Sequence, residues 1–318
     1  TLSGVVLDLD GSLSLEADGS AGGLNGSGSL ELNGQTLQIQ AASGQTHTYE
    51  GTLGEGTLDV SGAGTQVLRS SGADTGLTIS GGNLVLQGKA DVDGARLSYG
   101  NLVNSGNLTI QASDNSLTAV NTTLSVENVS FSSGSSTTFT LNTDADMTAS
   151  FIEASGDVVI EDGASFHVTS IPDVNITWKS GNPMELTLME LTGDGTIDLG
   201  ENTLTVGGLF LTYYKNAHLV QEGDKVVLKA EEQTDNVYAG VADTANSMAG
   251  ANLLWDAARH GSIDQAVTDF LGALNNDMLN NPSAARRSLA AAAGSTVNAL
   301  GTAQRDALRD QMGWIRNR

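Results

Sequence analysis

From residue 1 to about 232 the chain alternates apolar and polar residues in short bursts. Examples are Ser12-Leu13-Ser14-Leu15, Ser29-Leu30-Glu31-Leu32, Thr36-Leu37-Gln38-Ile39, Thr57-Leu58-Asp59-Val60, Asn83-Leu84-Val85-Leu86 and Asn107-Leu108-Thr109-Ile110. A period of two puts the apolar residues on one face of a strand. Each burst is about four residues long and is bounded by turn residues. Gly-Gly, Asn-Gly, Ser-Gly and Asp-Gly pairs supply the positive φ that tight turns need. Strand starts recur every ten to twenty-odd residues, the signature of a solenoid whose coils bury their inner faces only against neighbours. Two or three strands per coil of roughly 20 residues predict about eleven coils. The fold class expected is mainly β: a right-handed parallel β-helix followed by a carboxyl-terminal α-helical segment. The competing reading is a β-sandwich, whose strands are usually longer and richer in core aromatics.

The pattern changes after the polar joint Glu231-Glu232-Gln233-Thr234-Asp235. Helix formers follow at helical spacing. Val237, Val241, Ala245, Met248, Asn252 and Trp255 fall close to one predicted face, and Gly261 ends that helix. Ser262 and Gln265 form a capping box. Ile263, Ala266, Val267, Phe270, Leu271, Leu274 and Met278 then make an amphipathic stripe. Asn281-Pro282 opens a third helix, since Pro suits the first helical position. A fourth runs from about Thr296 towards Arg318.

Charge divides the chain at the same place. The formal net charge is −23, from 37 acidic and 14 basic residues. Residues 1–234 hold 29 Asp and Glu against 7 Lys and Arg, whereas residues 235–318 hold 8 acids and 7 arginines. So acidic a solenoid does not suit nucleic acid or anionic lipid, both of which need a positive footprint. There is no cysteine, which rules out disulfides and thiolate metal sites. No run of about 18 apolar residues exists to form a transmembrane helix. The opening Leu2-Ser3-Gly4-Val5-Val6-Leu7 reads like the middle of a strand, so the chain is expected to be a fragment or processed product. Aromatics are uneven too: residues 1–130 hold only Tyr49 and Tyr99, while residues 131–214 hold eight. Burial per residue is greatest for aromatics, so the later coils should be the more stable.

Several stretches carry a resemblance. Ser288-Leu289-Ala290-Ala291-Ala292-Ala293-Gly294-Ser295-Thr296 resembles the Leu/Ala-rich segment found before autotransporter barrels. Ala303-Gln304-Arg305-Asp306-Ala307-Leu308-Arg309-Asp310 resembles the arginine-bearing helix that follows it. Gln311-Met312-Gly313-Trp314-Ile315-Arg316 is similar to the signature at which the first barrel strand begins. Leu209-Phe210-Leu211-Thr212-Tyr213-Tyr214, followed by Glu222-Gly223-Asp224-Lys225-Val226-Val227-Leu228, resembles the last coil of an autotransporter passenger. The resemblance implies a passenger stalk at 1–170, an autochaperone-like cap at 171–232, and at 233–318 a helical linker to a barrel that lies outside this chain. It implies Phe166, Trp178, Phe210, Tyr213 and Tyr214 as the cap core, and Arg305, Arg309 and Arg316 as contacts to the barrel lumen. The implied partners are the protein's own β-barrel, the outer-membrane assembly machinery and a host or cell-surface ligand. The implied location is the outer membrane and surface of a Gram-negative bacterium. The self-cleaving asparagine pair of some relatives is missing: its position aligns near Asp306-Ala307, far from Asn275-Asn276 and Asn280-Asn281.

Chemistry is sparse. His47, His167, His218 and His260 lack metal-ligand spacing, and no G-x-S-x-G elbow occurs. Asp8-Leu9-Asp10-Gly11 and Asp91-Val92-Asp93-Gly94 look like calcium loops without the remaining ligands, and are read as acidic turns. The sharper alternative is a polysaccharide lyase or glycosidase, which needs paired carboxylates over a groove. Asp157, Glu161 and Asp162 are candidates, as are Asp144 and Asp146. Acids and bases stacked on adjacent coils of one face would favour that alternative. The expected function is a structural, adhesive passenger with no enzymatic activity, no metal and no cofactor.

Overall fold

A computed structural model describes residues 2–88, 96–111, 122–141, 151–170, 184–207, 210–260, 270–271, 273–275, 277–278 and 281–292. The chain is mainly β and forms two compact units. The first comprises Thr1–Gly207 and Tyr214–Glu232, the second Gly208–Tyr213 and Gln233–Arg318.

The first unit is a parallel β-helix with three faces. Its first face stacks Gly19–Gly26, Thr36–Ile39, Gly56–Val60, Thr75–Ile79, Leu102–Asn104, Val129–Phe131, Val158–Ile160 and Ile197–Leu199. The second face continues from Gly26 through Thr46–Tyr49, Thr65–Leu68, Asn83–Gln87, Asn107–Gln111, Ser136–Leu141, Ser165–Ser170 and Thr203–Val206. A third face is built in two pieces. Ser12–Ser14, Ser29–Glu31 and Thr52–Leu53 form one, and Arg96–Ser98, Thr123–Val126, Ile152–Ala154 and Met184–Leu191 form the other. A single parallel bridge between Gly72 and Tyr99 lies between them. The amino-terminal strand Leu2–Leu9 pairs in parallel with Gly19–Gly26.

Apolar residues stack in register because the period-two pattern points the same side chain inward on every rung. One inward column on the first face runs Leu37, Leu58, Leu77, Leu102, Val129, Val158. One on the second runs Tyr49, Leu68, Leu86, Ile110, Phe139, Val168, Val206. Most members are fully buried.

Buried polar residues serve the ladder. Gln66 is fully buried. Its Oε1 accepts from Leu24 N at 3.0 Å and its Nε2 donates to Leu24 O at 2.8 Å, replacing a strand partner two coils away. Asn104, also fully buried, donates to Thr137 Oγ1 at 3.0 Å and accepts from Gly106 N at 3.0 Å. Satisfied in this way, neither amide carries the cost of an orphaned buried dipole.

Fewer coils are present than roughly 20 residues per turn predicts, because the coil length grows. Gln38 and Asp59, on successive rungs, lie 21 residues apart. Asn101, Asn128, Asp157 and Thr196 stand on successive coils at separations of 27, 29 and 39. The corner between first and second faces stays short. Much of the added length falls between the second and third faces, as between Gln87 and Arg96 or Leu141 and Ile152. Phenylalanines pack inside the longer coils: Phe131 meets Phe166 edge-on at 5.2 Å, and Phe139 lies 5.3 Å from Phe151 and 6.4 Å from Phe166.

An antiparallel hairpin follows the last parallel strand of the third face. Lys225–Glu232 pairs with Met184–Leu191, and Tyr214–Glu222 pairs with Lys225–Glu232. Its turn uses Gly223 at φ 60°, a left-handed position that glycine occupies without penalty. Within the stretch that resembles a last passenger coil, Phe210–Tyr213 is a short helix and a strand begins at Tyr214.

The second unit is helical where described. Ala245–His260 is an α-helix. Thr244 and Ser247 cap it reciprocally, Ser247 N donating to Thr244 Oγ1 at 3.1 Å and Thr244 N to Ser247 Oγ at 2.9 Å. Its buried face is Ser247, Ala251, Leu254 and Ala258, whereas Met248 and Asn252 are exposed. The face therefore lies one position from the predicted stripe. A further helix covers 282–292, with Asn281 Oδ1 accepting from Ala284 N at 3.3 Å as its cap, and it buries Ala285 and Leu289. The capping box at Ser262 and Gln265 and the helix expected after Thr296 lie outside the described residues. Inside this unit Tyr238 Oη and Thr212 Oγ1 share a hydrogen bond of 2.7 Å, and Asn275 Nδ2 donates to the same Thr212 oxygen at 3.0 Å. Burial pushes the Tyr238 hydroxyl well above the usual phenol value.

Candidate functional site

Outward side chains of a β-helix form columns, since each rung repeats the register of the one below. The columns of the three faces differ in chemistry, and that difference shows what each face can do.

The third face is charged. Ser98, Ser125, Glu153, Glu190 and Lys225 stand in one outward column. Arg96 forks onto both carboxylate oxygens of Glu153 across two coils, and hydrogen bonding to that carboxylate raises the Arg96 pKa. Lys225 Nζ lies 3.2 Å from Glu190, and Lys229 joins Glu185 at 3.2 Å to Glu222. Stacked acids and bases on adjacent strands are the arrangement an enzymatic reading requires. Beside them lies an open cleft of about 280 Å³ lined by Tyr99, Ser125, Glu127, Glu153, Ser155 and Thr192. Glu153 and Glu190, neighbours on adjacent strands, are each offset by a cation, so this column is internally paired.

The acids singled out from the sequence have a different use. Asp157 Oδ1 accepts from Thr196 N at 2.8 Å and Thr196 Oγ1 at 2.9 Å, and these two bonds hold its carboxyl below the usual carboxylate range. Glu161 Oε2 accepts from Ser133 N at 2.9 Å, and Asp162 Oδ1 from Glu201 N at 2.7 Å. All three stitch a corner to the coil above or below. Asparagines continue the stitch: Asn128 Nδ2 donates to Asn101 Oδ1 at 2.7 Å, and Asn128 Oδ1 accepts from Asp157 N at 2.7 Å. Asp144 and Asp146 lie outside the described residues.

The second face carries no carboxylate in its two main outward columns. One runs Thr46, Thr65, Asn83, Asn107, Ser136, Ser165, Thr203. The other runs Thr48, Val67, Val85, Thr109, Thr138, His167, Thr205. At one margin of this face Arg69 pairs with Glu50 at 2.8 Å and donates to Gln87 at 2.7 Å. Sequence reading missed these columns, because they emerge only when coils of unequal length are set in register.

The histidines are scattered. His47 is buried against Gly23, where a Cβ would meet its ring at 2.2 Å. His167 Nδ1 lies 2.8 Å from Thr205 Oγ1, and burial lowers its pKa. His218 Nδ1 lies 2.9 Å from Asn216 O. His260 is the last residue of its helix. Asp8 lies in the strand Leu2–Leu9 and Asp10-Gly11 form the bend after it, and Asp91-Val92-Asp93-Gly94 lies outside the described residues. Among the described residues, no group of three His, Asp or Glu is placed to hold a metal ion, and no helix is long and apolar enough to cross a membrane.

Of the expected cap core, Phe166 is buried among Phe131 and Phe139, and Tyr214 is buried in the hairpin. Tyr213 belongs to the second compact unit, where its hydroxyl donates to Ala258 O at 3.3 Å. Phe210 opens the short helix. Of the described members, Phe166 and Tyr214 belong to the first unit and Phe210 and Tyr213 to the second. Trp178, Arg305, Arg309 and Arg316 lie outside the described residues.

Comparison with family models, with curated proteins and with solved structures finds no match to this chain.

Proposed function

We propose that this chain is the structural passenger region of an autotransporter, displayed on the surface of a Gram-negative bacterium and adhesive rather than catalytic. The observation that carries this reading is the use of polar side chains. The three acids best placed by sequence to be catalytic bond instead to backbone N–H groups of neighbouring coils. The antiparallel hairpin Tyr214–Glu232 serves as an autochaperone-like cap, and the helical stretch leads to a β-barrel whose lumen wall pairs with Arg305, Arg309 and Arg316. Arginine suits that pairing because its planar fork binds a carboxylate in two places.

The test uses the full-length protein in an outer membrane. Changing Arg305, Arg309 and Arg316 together to Gln should reduce passenger exposed to external protease, while the 318-residue chain keeps its strand signal. Unchanged display would remove the linker assignment. A polysaccharide-cleaving enzyme is the second reading, favoured by the Glu153–Glu190 column beside its cleft. Turnover of a polysaccharide that is lost in Glu153→Gln would establish it.

A further inference from the structure

The second face differs from the rest of the solenoid in a way the passenger reading does not require. The chain carries 37 acids and a net charge of −23. The first face places Asp59 and Asp198 in its outward column, and the third places Glu153 and Glu190. Seven successive rungs of the second face present two outward columns made of Thr, Ser, Asn and Val with a single His. Burial lowers the pKa of His167 there.

We propose that the second face is an ice-binding surface. Strands of a sheet stand ~4.8 Å apart, and alternate residues along a strand ~6.7 Å apart, so the two columns form a two-dimensional grid. Those two repeats are comparable with the oxygen repeats along two axes of hexagonal ice. The groups on the grid suit ordered water. Threonine offers a hydroxyl beside a methyl, and Val67 and Val85 supply apolar spacers between hydroxyl rungs. Charged groups would instead hold their own strongly oriented hydration shells, and these columns have none.

The grid is also held in place. Asn107 Nδ2 donates to Asn83 Oδ1 at 2.8 Å, Ser165 Oγ donates to Ser135 O at 2.8 Å, and Thr205 Oγ1 lies against His167. A surface fixed before contact loses little conformational freedom on binding a crystal. Two other occupants fit less well. A neutral polysaccharide would be gripped by aromatic platforms, yet the aromatics of these strands, Tyr49, Phe139 and Phe166, are buried. A second copy would bring another −23 of charge alongside the first, which opposes approach.

The experiment uses the purified 318-residue chain, with single ice crystals grown in its presence and recrystallisation followed in frozen films. Faceted crystals and slowed recrystallisation are expected. Thr109→Lys with Thr138→Lys places two ammonium groups on the middle rungs and should lower both effects roughly tenfold, since each brings hydration that ice cannot match. Ser130→Lys with Val159→Lys adds equal charge on the first face and should leave both effects within about twofold of the parent, since it leaves the grid intact. If circular dichroism shows the middle pair unfolded, Thr48→Lys with Thr205→Lys at the ends of the face replaces it. Unshaped crystals at every concentration would overturn the proposal, as would equal loss in the first-face variant. Retention on microcrystalline cellulose without ice shaping would assign the face to a polysaccharide, and dimerisation abolished by Thr109→Lys with Thr138→Lys, without ice shaping, would assign it to a second copy. Either result overturns the ice reading.

Discussion

The early and late coils of the β-helix solve one packing problem in two ways. Near Leu37, Leu58 and Leu77 a coil takes about 20 residues, and its interior is filled mainly by Leu, Ile and Val, with Tyr49 the one aromatic ring. The corners there close tightly on glycine: a Cβ on Gly51 would lie 1.9 Å from Gly28 O, and one on Gly28 would lie 2.0 Å from Gly11 O. Tyr49 closes the same corner by donating to Gly28 O at 2.9 Å and Thr52 O at 2.8 Å, and burial pushes its hydroxyl up to about 12. Beyond Asn104 the coils lengthen to 27, 29 and 39 residues. There the interior holds Phe131, Phe139, Phe151 and Phe166, and the corners are stitched by carboxylates and amides. Close backbone approach is common to both halves, since a Cβ on Gly195 would lie 2.0 Å from Gly156 O, so the difference lies in the aromatic rings that the later interior holds.

Three substitutions sharpen or break that contrast. The largest effect is expected from Phe166→Ala, which empties a site walled by Phe131 and Phe139. It should cost about 4 kcal/mol in urea denaturation, in the middle of the range for phenylalanine truncation. A cost below that of Leu58→Ala would show that the aromatic coils are not the better-packed half. Next comes Gly51→Ala, which forces a methyl against the Gly28 carbonyl and should cost about 2 kcal/mol as an overpacking change. A neutral result would mean that the early corners have room to spare. The smallest effect is expected from Asp157→Asn, and it depends on pH. The Asp157 carboxyl is depressed below its usual 3.8 by bonds to Thr196. Its contribution is therefore present above the unfolded-state value and lost as pH falls through the folded-state value. The midpoint difference between parent and variant should be visible near neutrality and vanish in strong acid. A difference that survives in acid would mean that the carboxylate charge is irrelevant to the stitch.

Much of this architecture is legible before any coordinates. The period-two bursts at Ser29–Leu32, Thr36–Ile39 and Asn107–Ile110 become strands because the alternation alone decides which side chains can be buried together. The number of coils is not legible, since a coil's length depends on its corners, which carry no periodic signal. The helix at Ala245–His260 is legible, but its buried face is not. Ala251 and Ala258 give no strong hydrophobic cue, whereas Met248 does and is exposed. The roles of Asp157, Glu161 and Asp162 depend on which backbone N–H lies opposite each carboxylate. That is a property of register, and register spans up to 39 residues of sequence here.

The uneven distribution of coil length has a bearing on descent. Ladder partners stay in register from Leu37 to Ile197 while the spacing between them nearly doubles. The corner between first and second faces stays short throughout, so variation in length has been channelled away from it. Insertions and deletions between the second and third faces are therefore the changes this fold inherits most readily, and a change of one residue inside a strand is the one it must reject. Lineages of such chains should differ in how much sequence they carry at that corner while conserving the strands beside it. That makes it the place where a solenoid can acquire new sequence without first having to learn to fold again.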